Sequence, residues 1–296
     1  MNRVILENDL LTVTILPERG GKLASLCHRP TGFELLAQPP CGYPPLKPGM
    51  PFHLGDASGF DDVFPSMGPE TSDGIDLPDH GQIWSAPMSA ECSNERLILR
   101  RENVRPAYSY EKEVWLEGSA VRLKWRIHNP AAHPLQAVWI CHCLMRDEEG
   151  LRFEFPPDAR EAVNLIPGSA LGTLGQVHRT DGEGYDFSRP PQPGSAVKFR
   201  FSHPIREGVC AAVYSRSGLR AELEFDPATL PFLSFWMTTG AYRGDRNFAF
   251  EPATAPCDTL EEGRRNGCRT EIPAKETLSL QMSIRLTKID SSPSCF

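Results

Sequence analysis

The sequence predicts an all-β protein on three observations. Apolar residues recur with period two, long stripes of helical spacing are missing, and 28 prolines and 24 glycines supply the turns. The first alternation sets Leu11, Val13 and Ile15 against Thr12 and Thr14, and Pro17-Glu18-Arg19-Gly20-Gly21 then turns the chain. Val121, Leu123, Trp125 and Ile127 alternate with Arg122, Lys124 and Arg126. Leu219, Ala221, Leu223 and Phe225 alternate with Arg220, Glu222 and Glu224, and the run from Leu278 to Leu286 behaves likewise. Each is the pattern of a strand with one buried and one wet face.

Two segments are apolar on both faces, Leu135 to Leu144 and Phe232 to Met237, which predicts central strands covered on each side within a large sandwich. In the first of them His142 projects with Val138, Ile140 and Leu144. Gln38 to Gly55 and Glu183 to Gly194, rich in proline and glycine, read as long loops and not as linkers. With no repeat at a fixed period, residues 1–290 read as one domain, and 291–296 read as a frayed tail.

At 296 residues, 40% hydrophobic and 23% charged, the chain has the composition of a soluble globular protein with a sizeable core. Its net charge of -7 argues against a nucleic-acid partner. Charges break the first residues before any apolar core, and no apolar run is long enough to span a membrane, so a cytoplasmic protein without a membrane partner is expected. Nine cysteines without a framework spacing read as thiols of a reducing compartment. Cys141 and Cys143 flank His142, but strand alternation puts the histidine on the opposite face, so no metal site is expected.

Three polar groups stand out as site candidates. His80 lies in Leu77-Pro78-Asp79-His80-Gly81-Gln82-Ile83-Trp84, where proline and glycine favour a turn, Asp79 is a local tether and Trp84 is an apolar wall. His142 lies in the apolar central strand. Glu251 ends the short apolar strand Asn247-Phe248-Ala249-Phe250-Glu251-Pro252, where a carboxylate needs solvent or a partner. The plainer readings are a turn histidine, a core histidine bonded to a carbonyl, and a strand-end acid meeting water.

These stretches, in their order along the chain, resemble the aldose 1-epimerase (galactose mutarotase-like) superfamily over nearly the whole length. Asn8 to Leu26 is similar to that family's first hairpin, Gly59 to Pro65 followed by Leu77 to Trp84 resembles its divergent branches, and Phe250 to Asp258 resembles the segment with its catalytic glutamate. The resemblance implies a mainly antiparallel β-supersandwich with an open sugar-binding cleft and a small-molecule sugar as partner. It implies Glu251 as general base at the anomeric hydroxyl, His142 as general acid at the ring oxygen, and His80 as a hydrogen-bond partner of the ring. An ionised glutamate and a protonated histidine coexist between reference pKa values of about 4.3 and 6.5, and no cofactor or metal is required.

The chain also departs from the family. The asparagine-arginine pair expected before the histidine-glycine motif is replaced by Phe60-Asp61-Asp62-Val63-Phe64, and the family's sugar-binding aspartate has no clear counterpart. Asp61 or Asp62 is a candidate replacement, against the plainer reading of a solvated acidic turn. Trp84, Trp236 and Phe250 are candidates to stack on a sugar, against a core role. Two further readings stand beside anomer interconversion. One is a hexose-6-phosphate epimerase, with Arg243, Arg246, Arg264 and Arg265 as candidate phosphate ligands. The other is a non-catalytic carbohydrate-binding or regulatory module. The sequence leaves monomer and homodimer equally open.

Overall fold

Strand alternation produces two large antiparallel sheets whose apolar faces meet. A computed structural model describes residues 2–55, 57–268 and 271–289; the predicted tail lies outside them. Among the described residues the larger sheet has twelve strands. Its main path runs Val4–Glu7, Leu11–Leu16, Lys22–His28, Phe60–Val63, Ile140–Cys143, Arg246–Ala253, Phe232–Thr239, Ala196–Phe201, Glu161–Asn164 and Val177–Arg179. The eight-stranded sheet includes Ala107–Glu117, Ala120–His128, Thr277–Lys288 and Leu219–Phe225, with the last three matching the predicted alternations. Among the described residues no helix is long and apolar enough to cross a membrane. A short helix, Leu260–Arg265, adds to the strands that alternation predicts, and Thr259 caps it by accepting from the Glu262 backbone N–H.

One predicted strand is broken. Leu135–Gln136 pairs separately with Glu271–Ile272, and the ladder resumes at Ile140. Between them the Val138 N–H donates to Pro65 O, and the Trp139 N–H donates to the Thr254 hydroxyl. Those partners satisfy the backbone outside a ladder.

Alternation along Phe60–Val63 sends neighbouring side chains to opposite faces. Phe60 and Asp62 enter the space between the sheets, where Phe60 lies beside Trp125. Asp62 accepts from Tyr110 Oη at 3.1 Å, Lys112 Nζ at 3.0 Å and Trp125 Nε1 at 2.9 Å, all from the smaller sheet. Asp62 is therefore a buried anchor between the sheets and not a sugar ligand, which corrects the sequence expectation. Phe250 is likewise a core residue, packed among Phe153, Phe155 and Phe235.

On the outer face of the larger sheet two small apolar clusters leave a gap. Val63, Val138, Ile140 and Ala253 belong to one, and Leu144 and Ala249 belong to the other, with Trp236 packed against it. The candidate site lies in that gap.

Removing the Asp62 carboxylate leaves the Lys112 ammonium buried without its counter-charge. Asp62→Ala is expected to lose about 3–5 kcal/mol of stability in chemical denaturation, and Asp62→Leu combined with Lys112→Met should recover only part of it, because the buried Trp125 indole N–H still lacks its acceptor.

Candidate functional site

A row of polar side chains crosses the gap. Ile140 faces Ala253 and, further along, Met145 faces Phe248, so the register between these strands sets His142 opposite Glu251. On the other side of His142 stands Asp61, and beyond Glu251 come Ser234 and then Arg200. Facing residues of an antiparallel pair carry their Cβ atoms about 4.5–5.5 Å apart, which brings the imidazole and the carboxylate within reach of one small molecule. Asp61 itself is buried and salt-bridged to Lys22 Nζ at 2.6 Å, so it ends the row beyond His142 and is not a wall of the cleft.

His80 reaches the same place from a tight turn. His80 and Gly81 have φ values of 59° and 75°, both left-handed. A Cβ on Gly81 would lie 2.1 Å from Phe64 O, so only glycine lets the turn close against that carbonyl. The His80 N–H donates to Met67 O and the Gln82 N–H to Phe64 O, each at 2.7 Å. His80 Nδ1 bonds Asp79 Oδ1 at 2.8 Å, while Asp79 Oδ2 accepts from the Phe52 N–H at 3.0 Å. Phe52 stacks on the His80 ring at 3.8 Å, and the His80 and His142 rings meet edge to face at 4.9 Å. Trp84 lines none of this. It is buried behind the turn, donating its indole N–H to Asp79 O at 3.0 Å, so its predicted sugar-stacking role is replaced by a supporting one.

The resulting cleft holds about 350 Å³, within the range of small-molecule sites. His80, His142 and Glu251 line it together with Lys198, Trp236, Thr238 and Asn247. A larger hollow of about 530 Å³ beside Asp73, Arg105 and His133 contains none of the three site candidates. Trp236 is held in place by donating its indole N–H to Asn247 Oδ1 at 3.1 Å. His142 Nδ1 and Thr238 Oγ1 are buried and have no hydrogen-bond partner among the described residues, which suits a ligand rich in hydroxyls. Of the arginines considered for a phosphate, only Arg243 reaches the rim. Arg246 bonds Asp147, and Arg264 bonds Ser72 and Glu261; neither these two nor Arg265 lines the cleft.

Burial sets the proton affinities. It raises the Glu251 pKa to about 7, with Lys198 opposing and Asp258 reinforcing the shift. It holds His142 well below its ordinary value, helped by nearby His80, Lys22 and Lys198. His80 is also lowered by burial, although the Asp79 carboxylate pulls the other way. The order expected from reference values is therefore inverted in the free protein: on the acidic side of about 7 the single proton of the facing pair sits on Glu251 while His142 is neutral, and the pair loses that proton near 7.

Lys198, Asp258 and Phe52 took no site role in the sequence analysis. Lys198 occupies a polar position of an alternating strand, and Phe52 sits within a proline-rich loop. Neither carries a local signal of function.

No family model and no curated protein matches the chain. Solved structures do match. The Slr1438 protein of Synechocystis sp. is 18% identical with a TM-score of 0.75, over 97% of this chain and 96% of that one. A galactose mutarotase related enzyme of Lactobacillus acidophilus is 13% identical with a TM-score of 0.69, over 98% and 99%. The fold is galactose mutarotase-like. A galactose mutarotase-like protein of Lactobacillus casei aligns similarly, at 14% identity and a TM-score of 0.67 over 97% and 100% of the two chains. At such identities the likeness is one of fold, and the chemistry of the galactose mutarotase-like cleft is set by this chain's own side chains.

A buried acid with a raised pKa weakens the fold as pH rises. Folded Glu251 keeps its proton to about 7, whereas the unfolded chain releases it near 4.5, so stability falls progressively across that interval. Glu251→Gln is expected to be more stable than the parent by about 2–4 kcal/mol at pH 8, with the difference vanishing near pH 4. Denaturation curves across that range check it.

Proposed function

We propose that the protein interconverts the α and β anomers of a sugar by acid/base ring opening and closure. The observation that carries this reading is the register-set pair His142 and Glu251, facing each other in a cleft that His80 also enters. The galactose mutarotase-like fold supports it, since one of the similar structures is a galactose mutarotase related enzyme.

In this reading the reactive form is the tautomer with the pair's one proton on His142, the minor arrangement in the free protein. Glu251 then takes the proton of the anomeric hydroxyl while His142 delivers one to the ring oxygen, and His80 hydrogen-bonds the ring. The C1–O5 bond breaks, leaving an aldehyde at C1 and a hydroxyl at C5. After rotation about the C1–C2 bond, His142 recovers the C5 hydroxyl proton, O5 attacks C1 from the other face, and Glu251 returns a proton to the new anomeric oxygen. The pair ends with the one proton it started with. A facing acid and base that share one proton suit this shuttle, because neither group needs exchange with solvent between turnovers.

The reactive state holds one proton on the pair, so kcat/KM should fall on both sides of that window. The basic limb lies near 7, where the pair loses its last proton. The acidic limb lies where His142 gains a second one, well below its ordinary 6.5. Exchange-NMR or polarimetry over a panel of free and phosphorylated aldoses tests the reading. Glu251→Gln and His142→Asn are each expected to lower kcat by about 100–10,000-fold while sugar binding persists. Full turnover in both variants would overturn the mechanism. A parent protein that binds sugars but never exchanges their anomers would instead be the binding module.

A further inference from the structure

Lys198, a cation lining the cleft, takes no part in the acid/base pair. Lys198 lies on the strand Ala196–Phe201, directly opposite Trp236 in the register, on the same face as Glu251. Its side chain is 14% exposed and lines the cleft. An ammonium has three N–H donors, and among the described residues only one is used, by Asp258 Oδ2 at 2.5 Å. Asp258 is itself fixed: its N–H donates to Glu262 Oε2, and its carbonyl accepts from the Met67 and Gly68 N–H groups, each at 2.9 Å. Arg200, two residues along the same strand, reaches Glu262 as well, so the segment carrying Asp258 is clamped to the sheet at two points.

A largely buried ammonium with one anion and two unused donors is an incomplete arrangement in the free protein. Beside it stand an indole plate, Trp236, and the unpartnered hydroxyl of Thr238, two residues further along that neighbouring strand. A flat apolar surface edged by a cation and a hydroxyl matches a monosaccharide, which presents a C–H face and a rim of oxygens. In the strand order Lys198 lies on the side of Glu251 away from His142, and both line the cleft; with His142 at the ring oxygen and Glu251 at the anomeric one, that is the side on which the next carbon falls.

We propose that Lys198, oriented by Asp258, positions the substrate by donating to the hydroxyl on the carbon next to the anomeric one. The inference rests on the sugar-site reading above. It restricts the substrate class to aldoses carrying a free 2-hydroxyl, and it makes Asp258 a positioning residue that acts through Lys198.

The test compares D-glucose and D-galactose with their 2-deoxy forms, by saturation-transfer NMR for binding and exchange-NMR for turnover. The parent protein should favour each hexose over its 2-deoxy form by roughly 10–100-fold, the range of one hydrogen bond to a charged group. Lys198→Met combined with Asp258→Asn, which leaves no unpaired buried charge, should abolish that preference, mainly through KM. Lys198→Arg should restore part of it. Melting curves establish that each variant is folded. A preference unchanged in the folded double variant, or a parent protein that binds none of the four sugars, overturns the proposal. The epimerase reading fails separately, if the parent binds these sugars with the 2-hydroxyl preference yet does not exchange their anomers.

Discussion

Two adjacent carboxylates, facing opposite ways and each neutralised by a lysine, pin the centre of the larger sheet. Asp62 reaches inward to Lys112, and Asp61 reaches outward to Lys22. A strand that slipped by one residue would exchange the two and strand both charges away from their partners, at several kcal/mol each. The short strand Phe60–Val63 therefore has one permitted register, and its neighbour Ile140–Cys143 inherits it. Since His142 is aligned by that neighbour, the imidazole's place in the cleft traces back to ion pairs that do not line it.

The same architecture explains why the site is chemically poised. Apolar clusters on both sides of the polar row keep water from the pair, and that desolvation moves the two proton affinities in opposite directions. A carboxylate fixed on a strand and denied solvation is an unfavourable element for folding and a useful one for proton transfer.

Most of the fold was legible in the sequence because the period-two signal is local. The long alternations became strands with nearly the expected limits, whereas Leu135 to Leu144 broke because Pro65 and Thr254, distant in sequence, claim its backbone. The three polar candidates could be read as exceptions to apolar patterns, and the structure brings all three to one cleft. What could not be read was orientation and environment. Asp61 and Asp62 looked interchangeable, although strand geometry alone requires that at most one of them face the cleft. Trp84 looked like a wall because it follows His80, yet its indole turns back to Asp79. Lys198 looked like any wet-face lysine, and its partner Asp258 lies 60 positions away.

The turn that carries His80 has a consequence for reading mutants. With φ at 59°, this histidine holds a backbone shape that few side chains tolerate and that asparagine accepts best after glycine. An alanine there removes the imidazole and also strains the peptide frame that positions Phe52 and Asp79. Its phenotype would mix lost ring chemistry with a displaced wall of the cleft. Asparagine separates the two, and the difference between the alanine and asparagine variants isolates how far the conformation itself, apart from the ring, shapes the site.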